Sequence, residues 1–157
     1  MAEKLLFCSG NDIHRIKNVI DRKYRENNVV LDSLGCHVLK NVHHTRQYDR
    51  YNNEKISYGE VNIPSFLTMC GEKSNKTKIG AHIVQYFLHS GLVPWKGDID
   101  ISHRCHQPRC LNYKHLSREP HSINEDRKAC KANQICSGHV DSLGFIYDKC
   151  IFKGKNS

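Results

Sequence analysis

Between Ser102 and His115 the chain reads Ser-His-Arg-Cys-His-Gln-Pro-Arg-Cys-Leu-Asn-Tyr-Lys-His, and Asn124, Cys130, Cys136, His139 and Cys150 follow. Zinc takes four thiolate or imidazole ligands in a tetrahedron, and closely spaced cysteines and histidines can supply them from loops. Cys130, Cys136, His139 and Cys150 complete one Cys3His set by themselves, with a gap after His139 long enough to require a small excursion. Cys105, Cys110 and His115 provide three ligands of another, and the fourth must come from elsewhere. Cys8 precedes a helix and Cys70 is expected in a flexible stretch, whereas Cys36 opens a strand-like segment. Cys36 is therefore assigned to the first set, and Cys8 and Cys70 are left as buried thiols. A closed tetrahedron has no position for water, so both zinc ions are expected to be structural, with binding energy that is largely folding energy.

His103 and Asn124 stand outside both sets. An imidazole can take a proton from water and an amide oxygen can hold a hard cation such as Mg2+, which are the two functions a metal-dependent phosphodiesterase requires. Most histidines are surface or hydrogen-bonded structural residues, and His82, His89, His106 and His121 compete for the role. Position favours His103, which falls at a strand end beside the zinc loop. Asn124 alone would be a helix-surface amide. It gains meaning jointly with His103, because strand, loop and helix can set the pair on either side of one phosphate.

The elements that must position these residues follow from periodicity. Ser9, Gly10 and Asn11 start a helix in which Ile13, Ile16, Ile20 and Tyr24 recur at helical spacing to about Arg25. From Val29 the pattern is strand-like, and Cys36 to Leu39 leads into a polar ribbon over Lys40 to Arg50, a turn at Asn52-Asn53 and a second arm over Lys55 to Ile63. Lys40, His44, Arg46, Gln47, Tyr48 and Arg50 give this ribbon side chains that can read base edges in a major groove. The alternative is a solvated edge hairpin. Ile79 to Leu88 forms a short helix with Ile79, Ile83, Tyr86 and Phe87 on one side and Val84 at its margin, stopped at Ser90-Gly91. Asp98 to Ile101 alternates like a strand and delivers His103; Pro120 opens a helix that carries Asn124 and runs to about Lys128.

In a chain of 157 residues, 38% hydrophobic with mean hydropathy −0.63, the core is modest, so disulfides or metal must replace missing apolar area, and the eight cysteines offer both. No leader is read at the start and no apolar run approaches the roughly 18 residues of a membrane span, so the expectation is an intracellular compartment where thiols remain reduced, with no membrane partner, and cysteines interleaved with histidines then read as zinc ligands. The net charge of +8 implies a polyanionic partner. The expected architecture is one α+β domain over residues 1–157, with the nuclease and zinc box at about 98–150 and the ribbon at about 36–63.

The string Ser-His-x-Cys-His-x-x-x-Cys-x-Asn-x-x-His-Leu, then an Asn, then Arg-x-x-Cys, from Ser102 to Cys136, resembles the His-Cys box homing endonucleases of the I-PpoI type, within the broader His-Me finger nucleases. The resemblance implies a ββα-metal core, His103 as general base, Asn124 as ligand of one catalytic Mg2+, and Cys36, Cys105, Cys110 and His115 at the first zinc. Cys130, Cys136 and His139 follow the second site, but His139 comes one residue later than the family pattern and Cys150 considerably later. Where the family sets an arginine on the scissile phosphate, this chain offers Lys76, Lys78 and Arg46. The implied activity is sequence-specific cleavage of double-stranded DNA by Mg2+-dependent phosphodiester hydrolysis. Its implied form is a homodimer, because one active site cuts one strand, acting on nuclear or otherwise genomic DNA. The alternative is a zinc-stabilised DNA-binding regulator without catalysis.

Overall fold

The computed structural model describes residues 10–25, 28–40, 59–62, 78–92 and 98–153. Cys8, Cys70, Lys76 and the ribbon residues His44, Arg46, Gln47, Tyr48 and Arg50 lie outside them. Helix α1 (Gly10–Arg25) has Asp12 in its first turn and Arg22, Lys23 and Arg25 in its last, the charge order that a helix dipole favours. It buries Ile16 and Ile20, whereas Ile13, expected on the same stripe, is 44% exposed. The core joins these two isoleucines to Leu39, Val61, Ile79, Ala81, Val84, Phe87 and Leu111.

Strands β1 (Val29–Leu31) and β2 (His37–Leu39) pair antiparallel, with Val29 opposite Leu39. Strand β3 (Glu60–Asn62) pairs antiparallel with β4 (Lys78–Gly80), and this pairing takes Ile79 out of the helix expected to begin there. Helix α2 (Ala81–Ser90) starts two residues later, and its buried side is Ala81, His82, Val84, Gln85 and Phe87. Ile83 and Tyr86 are only partly buried, so the stripe is rotated from the expected one and contains two polar side chains. Gly91 stops α2 in the left-handed conformation, φ 69°, and donates its N–H to the Phe87 carbonyl at 2.9 Å. A second glycine is required by crowding. A Cβ on Gly59 would sit 2.2 Å from Leu39 Cδ1, at the point where the Gly59 carbonyl accepts from Ala81 N at 2.7 Å.

Strands β5 (Ile99–His103) and β6 (Leu116–Pro120) form an antiparallel hairpin in which His103 faces Leu116 and Asp100 faces Glu119. Helix α3 (His121–Asn133) follows directly and runs further than the expected end at Lys128. Gln134, in the left-handed region at φ 56°, ends it. This ββα unit and the preceding α/β elements bear out the α+β class. They meet at β2, where Val38 bridges to Cys110, Leu39 N donates to Arg109 O at 3.0 Å and Leu111 N donates to His37 O at 2.8 Å. Tyr24 fastens α1 to the same place through its hydroxyl, on His37 Nδ1 at 3.1 Å and Leu111 O at 3.3 Å. A final hairpin, β7 (His139–Val140) with β8 (Ile146–Tyr147), projects Leu143, Phe145 and Ile146 into solvent. Among the described residues no helix is long and apolar enough to cross a membrane.

Candidate metal centres and nuclease site

Cys36, Cys105, Cys110 and His115 converge, all four buried, with their ligand atoms within 4.8 Å of one another. Zinc bonds of about 2.0 to 2.3 Å imply tetrahedron edges of about 3.5 to 3.8 Å. Here Cys36 Sγ and Cys110 Sγ stand 3.4 and 3.7 Å from His115 Nδ1. The donor set and its dimensions fit zinc. Cys36 reaches this place because Asp32 Oδ1 accepts from the backbone N–H groups of Leu34 and Cys36 at 2.8 and 2.9 Å, while Gly35 turns at φ 77°. Asn112 closes the loop from the other side, donating Nδ2 to Gly35 O at 2.8 Å and accepting at Oδ1 from Lys114 N at 3.1 Å.

The thiols of this cluster cannot share negative charge easily without a cation. Cys110, bonded by Cys105 and by backbone N–H groups, is held down at about 5, whereas burial and the neighbouring Cys110 push Cys36 up to about 12. Cys105 is raised too, by the hydrogen bond it makes with Cys110 and by burial. Zinc binding must therefore release protons here.

Cys130, Cys136, His139 and Cys150 form the second cluster, with Sγ atoms 3.9, 3.2 and 3.4 Å from His139 Nε2, respectively. The two Cys3His clusters fit two structural zinc ions. The long gap before Cys150 is the β7–β8 hairpin, whose turn is held by Asp141: Oδ1 accepts from Leu143 N and Phe145 N at 2.9 and 3.0 Å, and Oδ2 accepts from the Tyr147 hydroxyl at 3.0 Å. A local turn thus absorbs the added residues and returns Cys150, whose N–H donates to Cys136 Sγ at 3.3 Å.

Beyond Cys150 the chain locks the two clusters together. Ile151 packs against the first cluster and donates its N–H to Arg104 O at 2.8 Å, and Phe152 stacks on His106 with ring centroids 5.2 Å apart. Arg104 spans the join, donating Nε to Lys149 O at 3.0 Å and Nη1 to Lys114 O at 3.2 Å.

His103 ends β5, partly buried, one residue ahead of this seam. Its Nε2 lies 3.2 Å from the carbonyl oxygen of Cys110, which can only accept, so Nε2 carries the hydrogen and Nδ1 is the nitrogen that can take a proton. Its pKa is lowered to about 4, chiefly by burial and also by His106 and His115, against the raising effect of that carbonyl. The imidazole is neutral at physiological pH. The His82 ring packs on it at a centroid distance of 4.4 Å.

Asn124 lies in the early turns of α3, and its Nδ2 donates to Asp100 Oδ2 at 2.8 Å. The same oxygen lies 2.8 Å from His121 Nδ1. Asp100, three residues before His103 on β5, therefore links the strand of one candidate to the helix of the other. Asp100 was not singled out from residue types, and the Cys110 carbonyl fills the place of the backbone or side-chain acceptor that a base imidazole needs and that sequence does not identify. The alternation Asp98-Ile99-Asp100-Ile101 was a signal for the first, but a backbone carbonyl leaves none.

Of the remaining candidates, Lys78 is exposed on β4, and Lys40 is exposed just after β2, its N–H on Asn28 O at 2.6 Å and its carbonyl accepting from Arg109 Nη1 at 3.2 Å. The competing histidines have structural surroundings: His89 stacks on Tyr113 at 4.8 Å and His121 lies against Asp100 and Glu125.

Two metal-fitting Cys3His clusters around a ββα unit define a zinc-stabilised domain of the His-Me nuclease kind. Residues 35–156 match the family described as the zinc-binding loop region of homing endonuclease, and the chain belongs to that family. Membership carries a nuclease or DNA-binding function. No curated protein and no solved structure matches the chain.

Proposed function

We propose that this chain is a sequence-specific endonuclease of the I-PpoI type that hydrolyses phosphodiester bonds of double-stranded DNA, with His103 as general base. The observation that carries the reading is the hydrogen bond from His103 Nε2 to Cys110 O, at 3.2 Å. A zinc ligand's own carbonyl holds the imidazole in one tautomer and rotamer, which is the arrangement a base needs to meet an attacking water. His103 Nδ1 accepts the water's proton, and the imidazolium that results keeps its Nε2–H on the carbonyl.

Asn124 would hold one Mg2+ through its amide oxygen, a hard donor, beside the Asp100 carboxylate. When bound, the cation supplies charge neutralisation at the phosphate and the leaving 3' oxygen. Lys78, with Lys76 and Arg46, supplies positive charge for the phosphate, and the ribbon from Lys40 to Arg50 reads base edges, two roles that rest on sequence. Two copies act on one site, since each chain offers one His103 and two strands must be cut. One domain over residues 1–157 serves all of this, on nuclear or other genomic DNA.

The test is incubation of the zinc-loaded protein with a randomised DNA library and Mg2+, with sequencing of the cut ends. Cut ends sharing one motif are expected, and they vanish in His103→Ala while DNA binding persists. Binding without cleavage by the unaltered protein would make the chain a zinc-stabilised DNA-binding regulator and sink the catalytic reading.

A further inference from the structure

We infer that Asp100 is a positioning residue that turns the Asn124 amide so that its oxygen, and not its nitrogen, meets the catalytic cation; this rests on the reading of Asn124 as the cation ligand. An asparagine amide presents an oxygen and an NH2 group of nearly equal size, and only the oxygen binds a hard cation. A carboxylate accepts and cannot donate. With Asp100 Oδ2 2.8 Å from Asn124 Nδ2, the NH2 group is committed to Asp100 and Oδ1 is directed away from it.

The carboxylate is itself held. Asp100 is the second residue of β5, in register with Glu119 of β6, and its Oδ2 also contacts His121 Nδ1 at 2.8 Å. The backbone repeats the connection two residues earlier, just ahead of β5, where His121 N donates to Asp98 O at 2.7 Å. The first turn of α3 is thus fastened to β5 by main chain and side chain together. Three residues further along the same strand is His103, so the hold on Asn124 is referred to the element that carries the base. The carboxylate's charge also favours a cation beside Asn124.

An Asp100 that only anchored the helix start would leave the amide orientation and the cation unaffected. Two measurements on zinc-loaded protein separate the roles. In nitrogen-edited NMR, the Asn124 side-chain amide, identified by its loss in Asn124→Asp, should show one proton shifted and protected from solvent exchange. In Asp100→Ala both protons should take on the pattern of a solvated asparagine. Mn2+ binding, followed by electron paramagnetic resonance, should weaken by roughly tenfold to a hundredfold, as is usual when a partner of a metal ligand is lost. The Mg2+ concentration for half-maximal single-turnover cleavage should rise alike, with the rate at saturation nearly retained. Asp100→Asn keeps an acceptor for the Asn124 NH2 group, so it should retain part of the effect and serve as the measurement if Asp100→Ala loses zinc. An Asn124 signal and Mn2+ affinity unchanged in Asp100→Ala, or in Asp100→Asn where Asp100→Ala loses zinc, in a chain that cleaves DNA, would overturn the role of Asp100 alone. A wild-type chain that neither cleaves nor binds Mn2+ would overturn the nuclease reading and this role with it.

Discussion

Arg127 and Glu119 form a two-pronged ion pair in the interior of the domain, Nε to Oε1 and Nη2 to Oε2 each at 2.7 Å, with side chains 2% and 0% exposed. The third donor, Nη1, lies 3.5 Å from Cys150 Sγ. One guanidinium therefore joins helix α3, strand β6 and the second metal cluster. Its planar fork suits this task, because each of its edges meets a different acceptor.

Arg127→Ala should be strongly destabilising, since it leaves Glu119 charged and buried without a partner, a loss of about 3 to 5 kcal/mol. Replacing both residues by apolar ones of similar volume should cost much less. Thermal unfolding of the single and double variants checks this. A double variant as unstable as the single one would show that the charge pair is not the cause. Arg127→Ala should also lose its second zinc more readily on dialysis against a chelator, because the Cys150 thiol, pushed up to about 12 chiefly by burial and also by Cys136, is kept from rising further by Arg127.

Elemental analysis should find two zinc ions per chain, matching the two clusters. Cys36→Ser should hold one. Chelation should unfold much of the ββα unit, as the metals stand in for core area that the composition lacks. Apparent zinc affinity should climb with pH, since the thiols of Cys36 and Cys105 are raised and must lose protons to bind. Protons released on zinc addition, counted in weak buffer, test this directly; none released would contradict the geometry of the first cluster.

His103→Ala should leave zinc content and DNA affinity nearly intact and lower single-turnover cleavage by about a hundredfold to ten-thousandfold. The neutral imidazole is the competent base, and its pKa is lowered to about 4, chiefly by burial. The rate of the unaltered protein should therefore rise as pH passes that value and be level through neutrality. A rate that climbs tenfold per unit between pH 6 and 8 would point to another base.

Gly59→Ala should destabilise by about 1 to 3 kcal/mol, the usual range for overpacking a filled site. The new methyl would meet Leu39 Cδ1 at 2.2 Å, next to the strand that carries the Cys36 loop. Combining it with Leu39→Ala should recover part of the loss, as denaturant midpoints would show.

Residue types and local spacing were enough to indicate the metal ligands, the strand that ends at His103 and the helix that carries Asn124. Metal chemistry accepts few side chains, and loop spacing limits which of them can meet. The ribbon expected over Lys40 to Arg50 lies, beyond Lys40, outside the described residues, and its composition names a partner and not a conformation. Tertiary structure decided what periodicity could not. Strand pairing of β3 with β4 moved Ile79 out of α2 and turned His82 and Gln85 inward. The convergence of Cys36 with Cys105, Cys110 and His115 depended on β2 docking against the zinc loop. The orientation of His103 by the Cys110 carbonyl, the hold of Asp100 on Asn124 and the reach of Arg127 from Glu119 to Cys150 all depend on register between elements. A carbonyl has no residue type, and a charge does not announce its partner until strands and helices are packed.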